Sequence, residues 1–166
     1  MKNCLTISFL FFAAAALLAA GCEGGADYYK TNAPSQIDAA RAYTDARDTL
    51  RQAAEDASPE TRAHAIEAMA KAAPRDSGPL LKQALKDPHP LVRFAAAMGI
   101  GDTGYVNALG DLQRMATLGS GERDRRVYPA VIYAMHKLGD SSHVTHLAQL
   151  LRDPEPEVRS NAALVI

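Results

Sequence analysis

Tryptophan is absent from the 166 residues, aromatic residues make up 6%, and cysteine occurs twice, as Cys4 and Cys22, both near the N-terminus. The body of the chain therefore cannot be stapled by a disulfide, nor can it hold a zinc cluster of the usual cysteine spacing. An excess of either charge is missing too: 18 Lys and Arg stand against 19 Asp and Glu, a net charge of −1. No overall field recruits nucleic acid or an acidic membrane surface. Neither a Gly-Lys-Ser phosphate loop nor a Gly-x-Ser-x-Gly nucleophile elbow occurs, so two common routes to catalysis are excluded. What the chain does have is 48% apolar residues, rich in alanine and poor in β-branched types, a balance that favours helix.

The N-terminus reads separately from the rest. "MKN" precedes seventeen uncharged residues, Cys4 to Ala20, the n-region and h-region of a secretory signal; that length sits at the lower limit for a membrane-spanning helix. Small residues run up to Cys22 in "LLAAGC", which resembles the bacterial lipobox, although Ala19 holds the place where that motif usually has Leu and Leu18 stands one position early. The resemblance implies a diacylglyceryl group on Cys22, export, and anchoring in the cell envelope. Each buried CH₂ contributes about 0.8 kcal/mol, so several acyl chains hold permanently. Glu23 in place of Asp resembles lipoproteins sorted to the outer membrane of Gram-negative cells. "EGGADYYKTNAPSQ" follows without helical periodicity and reads as a tether.

The expected organisation is a signal peptide over 1–21, a tether over 22–34, a capping helix over 35–55 and repeats over 56–166. The capping helix begins at Ser35 in "SQID", with Ile37, Ala40, Tyr43, Ala46, Leu50 and Ala54 spaced to bury one face. The repeats emerge when Arg62, Arg93 and Arg159 are placed in one column. Asp56, Asp87 and Asp153 stand six residues before them, and Pro59, Pro90 and Pro156 three before. A degenerate copy lies between, with Tyr128 in the Arg column, Glu122 in the Asp column and Arg125 in the Pro column.

Apolar columns follow at fixed offsets: Leu81, Leu112 and Leu147; Ala84, Met115 and Leu150; Leu85, Ala116 and Leu151. They describe the buried stripe of a second helix in each unit. Pro74, Gly78, Pro79, Gly101, Gly104 and Gly139 read as breakers between helices, and Pro129 as a residue that delays or kinks the first helix of unit three. A helix pair this small cannot bury its apolar face alone, so the units must stack. Three units are complete and a fourth stops at "SNAALVI", the sign of a piece of a longer array.

"DPHPLVRFAAAMGIGD" and "DPEPEVRSNAALVI" resemble the short HEAT repeats of bacterial and phycobilisome-lyase-type proteins. The resemblance implies an all-α fold, a right-handed superhelical α-solenoid of helix-turn-helix repeats. It also implies a structural polar ladder of Asp56, Arg62, Asp87, Arg93, Asp153 and Arg159, broken at unit three because Tyr128 cannot donate as a guanidinium does. Second helices line the concave side in such arrays, and here their outward positions are Lys82, Gln83, Lys86, Gln113, Arg114, Gln149 and Arg152. Four cations without an acid make a mildly basic groove for an acidic peptide or protein surface.

The junction "LGSGERDRR", Leu118 to Arg126, carries four extra residues and is the longest irregular loop of the body, where binding concentrates. His143 and His146 lie three apart on a helix without a third ligand nearby, and no His-Glu dipeptide occurs of the kind that holds iron in one HEAT-repeat hydroxylase family. Catalytic residues, metal ligands and cofactors are not indicated. The expected function is a lipid-anchored, non-enzymatic scaffold for a protein or peptide partner, without nucleic acid or a small-molecule substrate. The alternatives are a non-catalytic piece of a chromophore-lyase-like or metal-dependent enzyme, and a purely structural envelope protein.

Overall fold

A computed structural model of the chain describes residues 39–117, 122 and 124–166. The signal segment, Cys22, the tether, Ser35 and most of Leu118–Arg123 lie outside the described residues. The chain divides into two compact units, Met1–Tyr43 and Thr44–Ile166, and the repeats fall in the second.

All regular structure among the described residues is helical: α1 (Ala39–Ala53), α2 (Pro59–Ala72), α3 (Pro74–Ala84), α4 (Pro90–Thr103), a 3₁₀ turn at Val106–Ala108, α5 (Leu109–Ala116), α6 (Tyr128–Lys137), α7 (Val144–Leu150) and α8 (Pro156–Leu164). First helices α2, α4, α6 and α8 alternate with second helices α3, α5 and α7. The fold is an α-solenoid of helix-turn-helix repeats. None of these helices is long and apolar enough to cross a membrane.

Helix starts follow from the repeated phrase. Pro59, Pro90 and Pro156 occupy the first position of α2, α4 and α8, where the missing N–H would have no partner and the fixed φ already suits a helix. Pro129 does the same at the second position of α6, which starts at Tyr128 in the arginine column, three residues later in the repeat than α2, α4 and α8; the start is delayed, as the sequence reading expects. Ser58 caps α2 by accepting from the Thr61 N–H at 3.2 Å, and His89 Nδ1 caps α4 by accepting from the Leu91 N–H at 3.3 Å. Such caps satisfy donors that the helix itself cannot.

The strongest packing runs along the first helices, α2 on α4 and α4 on α6. Small residues permit it: Ala95, Ala96 and Ala97 of α4 and Ala130 and Ala134 of α6 are fully buried, so the helices approach closely and the larger Ile66, Met69, Leu81, Ile100, Leu112 and Met135 interlock around them. Burying one such side chain contributes about 1.5–3 kcal/mol. Ile132, Leu147, Leu150, Val158 and Ala162 form a second cluster where α6, α7 and α8 meet. The apolar columns are buried or half-buried except Leu151, which is exposed and lines an open recess with Val165 and Ile166.

Three expected breakers are instead inside helices. Pro79 and Gly78 belong to α3, and Gly101 to α4. The glycines serve close approach: a Cβ on Gly78 would sit 2.3 Å from the Tyr105 ring, and one on Gly101 would sit 2.6 Å from the Tyr133 ring and 3.1 Å from Ala134 Cα. Gly104 does end a helix, in the left-handed region at φ 67°, which glycine adopts without a Cβ penalty. A second departure concerns α1, whose expected face is not buried. None of its residues is buried, and Leu50 is half-buried; Arg47 reaches Asp76 at 3.7 Å.

Gly101→Ala should destabilise the array by about 1–3 kcal/mol through overpacking, read as a lower urea midpoint. Gly110→Ala, whose added methyl meets nothing closer than an Arg114 side-chain atom at 3.8 Å, should raise the midpoint by about 0.4–1 kcal/mol.

Candidate functional site

The repeated acid does two jobs in each unit. Its carboxylate accepts the backbone N–H two residues on, at 2.8 Å in the Asp56–Ser58 and Asp87–His89 turns and 3.0 Å in Asp153–Glu155, closing the turn before the helix. In unit three Glu122 does this for the Asp124 N–H at 2.8 Å. The arginine six residues later folds back over the same turn, Arg62 Nη1 donating to the Asp56 and Ala57 carbonyls and Arg93 Nη1 to those of Asp87 and Pro88. Arg159 makes the same pair of bonds to Asp153 and Pro154.

The rest of the Arg62 and Arg93 forks crosses to the next unit. Arg62 Nε and Nη2 donate to Asp87 at 2.9 and 2.8 Å, and Arg93 Nε and Nη2 to Glu122 at 2.6 and 2.8 Å. Burial raises the Asp87 pKa, but the Arg62 fork and the His89 N–H outweigh it and leave the carboxyl below its usual range. Both guanidiniums are pushed up by the carboxylates they hold.

A rung is also present where sequence placed a break. Asp153, 4% exposed, is held by Arg125, three residues before the Tyr128 that occupies the arginine column. A residue of the proline column thus brings a guanidinium to the acid of unit four. Arg126 adds a second tie: it is paired with Asp124 at 2.7 Å and donates to Glu157 of α8 at 3.1 Å, while its carbonyl accepts from Asn161 Nδ2 at 2.8 Å. Its guanidinium pKa is raised by those carboxylates.

The proposed groove residues divide into spent and free. Lys82 donates to the Asn107 carbonyl at 2.9 Å and pairs with Asp111 at 3.3 Å; Arg114 pairs with Asp111 as well. An acid therefore lies among the cations, and the expected purely basic face is corrected: Asp111 falls in the first turn of α5, one turn before Arg114. Gln113, in the same register position as Lys82, donates to Asp140 of unit three at 2.8 Å. Gln83, Lys86, Gln149 and Arg152 are exposed and make no side-chain hydrogen bond or ion pair among the described residues.

Beside Gln149, a recess of about 280 Å³ opens where α5, α6 and α7 meet, lined by Met115, Tyr128, His146, Leu150 and the rim residues Glu122 and Arg125. The Tyr128 hydroxyl donates to the Ala116 carbonyl at 3.3 Å, and burial pushes its pKa up. The Tyr128 and His146 rings lie 6.5 Å apart. Sequence reasoning saw Tyr128 as a break in the ladder and His146 as a histidine without a third metal ligand nearby; the extra length of the preceding junction was the signal available. The expectation that no dinucleotide fingerprint occurs is corrected: Gly99, Gly101 and Gly104 have the spacing of dinucleotide-binding turns. They lie at the end of α4 rather than between a strand and a helix, so no phosphate cradle forms. No group of three or more potential metal ligands occurs among the described residues.

Arg125→Ala should lower stability by about 1–3 kcal/mol, because it leaves Asp153 buried without its cation; the upper part of that range is damped, since Arg125 is itself 61% exposed and water screens it. Asp153→Asn in the same chain should recover much of the loss, measured as the coupling in a double-mutant cycle by urea unfolding. A pH series gives an independent check. Bonds from Gln113 and Ser142 hold Asp140 down to about 2, and a carboxyl depressed in the folded state stabilises fully above its unfolded pKa, about 4. That contribution should disappear as pH falls from about 4 through about 2, and Asp140→Asn should flatten the decline in that window.

Among curated proteins and solved structures, none matches the chain. Residues 47–128 match the family model described as HEAT repeats, a span that runs from α1 through the start of α6. Taken with the stacked helix pairs and the rungs between them, this match identifies HEAT repeats over residues 47–128, within a folded body that is an α-solenoid of helix-turn-helix repeats.

Proposed function

We propose that this chain is a lipid-anchored, non-enzymatic scaffold that binds a protein partner in the cell envelope. HEAT repeats are commonly protein-interaction scaffolds, and the observation that carries the reading here is the distribution of polar groups. The arginines and acids of the rungs, Lys82 and Gln113 are consumed in holding units in register, while among the described residues Gln83 and Gln149 stay free on the second helices and Lys86 and Arg152 just beyond their ends. A rigid array with unspent hydrogen-bonding groups along one series of helices meets a partner at low ordering cost.

The anchor rests on the sequence alone: uncharged residues from Cys4, then "LLAAGC", then Glu23 and a Gly- and Asn-containing tether. At ~3.3 Å per extended residue, that tether lets the array work a few tens of Å from the lipid. Acylation at Cys22 places the body outside the cytoplasm, and Glu23 favours the outer membrane where a cell has two.

Intact mass of the natively expressed protein from the membrane fraction should show a chain that begins at Cys22 and carries acyl groups. Cys22→Ser should remove that modification and release the protein from washed membranes. Cross-linking in cells should then yield adducts with specific proteins. An unmodified chain starting at Met1 would overturn the anchor, and purified protein carrying stoichiometric iron or a covalent bilin would replace the scaffold by an enzyme.

A further inference from the structure

Among the described residues, the recess between α5, α6 and α7 is the one place where a polar ring has been brought into the packing of the array without being satisfied. His146 Nδ1 is shut off from solvent and has no hydrogen-bond partner, and no hydrogen bond to either nitrogen of its ring occurs among the described residues. Buried polar groups are normally paired, and an unpaired one marks either a cost or a ligand. The ring is not locked by packing on all sides, since it lines the open recess, and its χ2 torsion is soft.

The rest of the lining narrows what could enter. Met115 and Leu150 give an apolar wall and Tyr128 an aromatic one. Both charges at the rim are already used: Glu122 holds Arg93 with both oxygens, and Arg125 is paired with Asp153. A carboxylate or ammonium group entering here would lose its hydration and find no free counter-charge among the described lining residues, so these residues select against a charged anchor. A neutral aromatic ring suits the walls, and a hydroxyl at its tip can either donate to or accept from imidazole, so it satisfies His146 in either tautomer. The exposed Gln149 amide lies at the same mouth for the backbone that would carry such a side chain. At about 280 Å³, the recess is near the small end of ligand pockets, the scale of one side chain rather than a cofactor.

We infer that this recess is the anchor point for a tyrosine side chain of the partner protein, with its ring between Leu150, Met115 and Tyr128 and its hydroxyl bonded to His146. The inference rests on the scaffold reading above and names the partner chemistry that reading leaves open. Tyrosine is among the residues that most often carry interface energy, because it fills a pocket with a rigid ring and a polar tip.

The test is a titration of the full chain in detergent micelles with N-acetyl-tyrosinamide and, separately, N-acetyl-phenylalaninamide, followed by amide chemical shifts. Saturable shifts at Tyr128, His146 and Leu150 are expected, with the tyrosine probe bound about fivefold more tightly, the worth of one hydrogen bond. His146→Phe, with its fold checked by circular dichroism, should keep aromatic binding and abolish that preference. Equal affinity of the two probes for the unaltered chain would overturn the hydroxyl contact without reliance on any variant. Absence of saturable shifts at the recess would overturn the site even if cross-linked partners are found, whereas shifts at the recess without cross-linked partners would support the site and count against the scaffold.

Discussion

The carboxylate that closes one turn also receives the arginine of the unit before it, and this double use gives the array its coherence. A helix pair of about thirty residues buries too little apolar surface to fix its own orientation, and apolar contact is not directional. Asp87 and Glu122 supply the direction. Each is fixed by a backbone N–H in its own unit, so the guanidinium that reaches it is docking on a rigid feature. The arginine is equally constrained, because its Nη1 is bonded to the carbonyls of its own turn. Two preformed halves then meet with bidentate geometry, and the apolar columns behind them can interlock in one register only.

This economy explains what is left for binding. Along the first helices, polar groups near the turns are consumed by the rungs, and the helix bodies are filled with alanine to permit close approach. Along the second helices a looser seam runs through Lys82, Asp111, Gln113 and Asp140, still between neighbouring units. Among the described residues, Gln83, Lys86, Gln149 and Arg152 are left unpaired at or just beyond the ends of the second helices. The groove is less basic than a tally of Lys and Arg suggests, since one acid in the first turn of α5 serves two cations.

Unit three shows how far a repeat can drift without losing its place. It has lost the proline and the arginine of its phrase, and it has gained residues in the junction before it. The rung to unit four is rebuilt by Arg125 and reinforced by Arg126, so the stack continues. The substitution of Tyr128 for arginine leaves a ring where a guanidinium would have crossed to the next unit, and with His146 and Leu150 that ring bounds the recess.

Much of the fold was legible in the residues themselves. Spacing of Asp, Pro and Arg placed the starts of α2, α4 and α8, and the columns at offsets of three and four placed the buried stripes of the second helices, because helix periodicity and capping are local consequences of the chain. The tertiary structure alone decided which acid each cation meets: that Arg125 replaces a missing rung, that Asp111 neutralises Lys82 and Arg114, and that His146 stands unpaired beside Tyr128. It also decided that Gly78 and Gly101 are points of close approach rather than breaks. The reason is one of range: a turn or a helix face is set within a few residues, whereas a pairing between units depends on the offset and rotation of one unit against the next, which a junction of changed length alters without leaving a periodic trace.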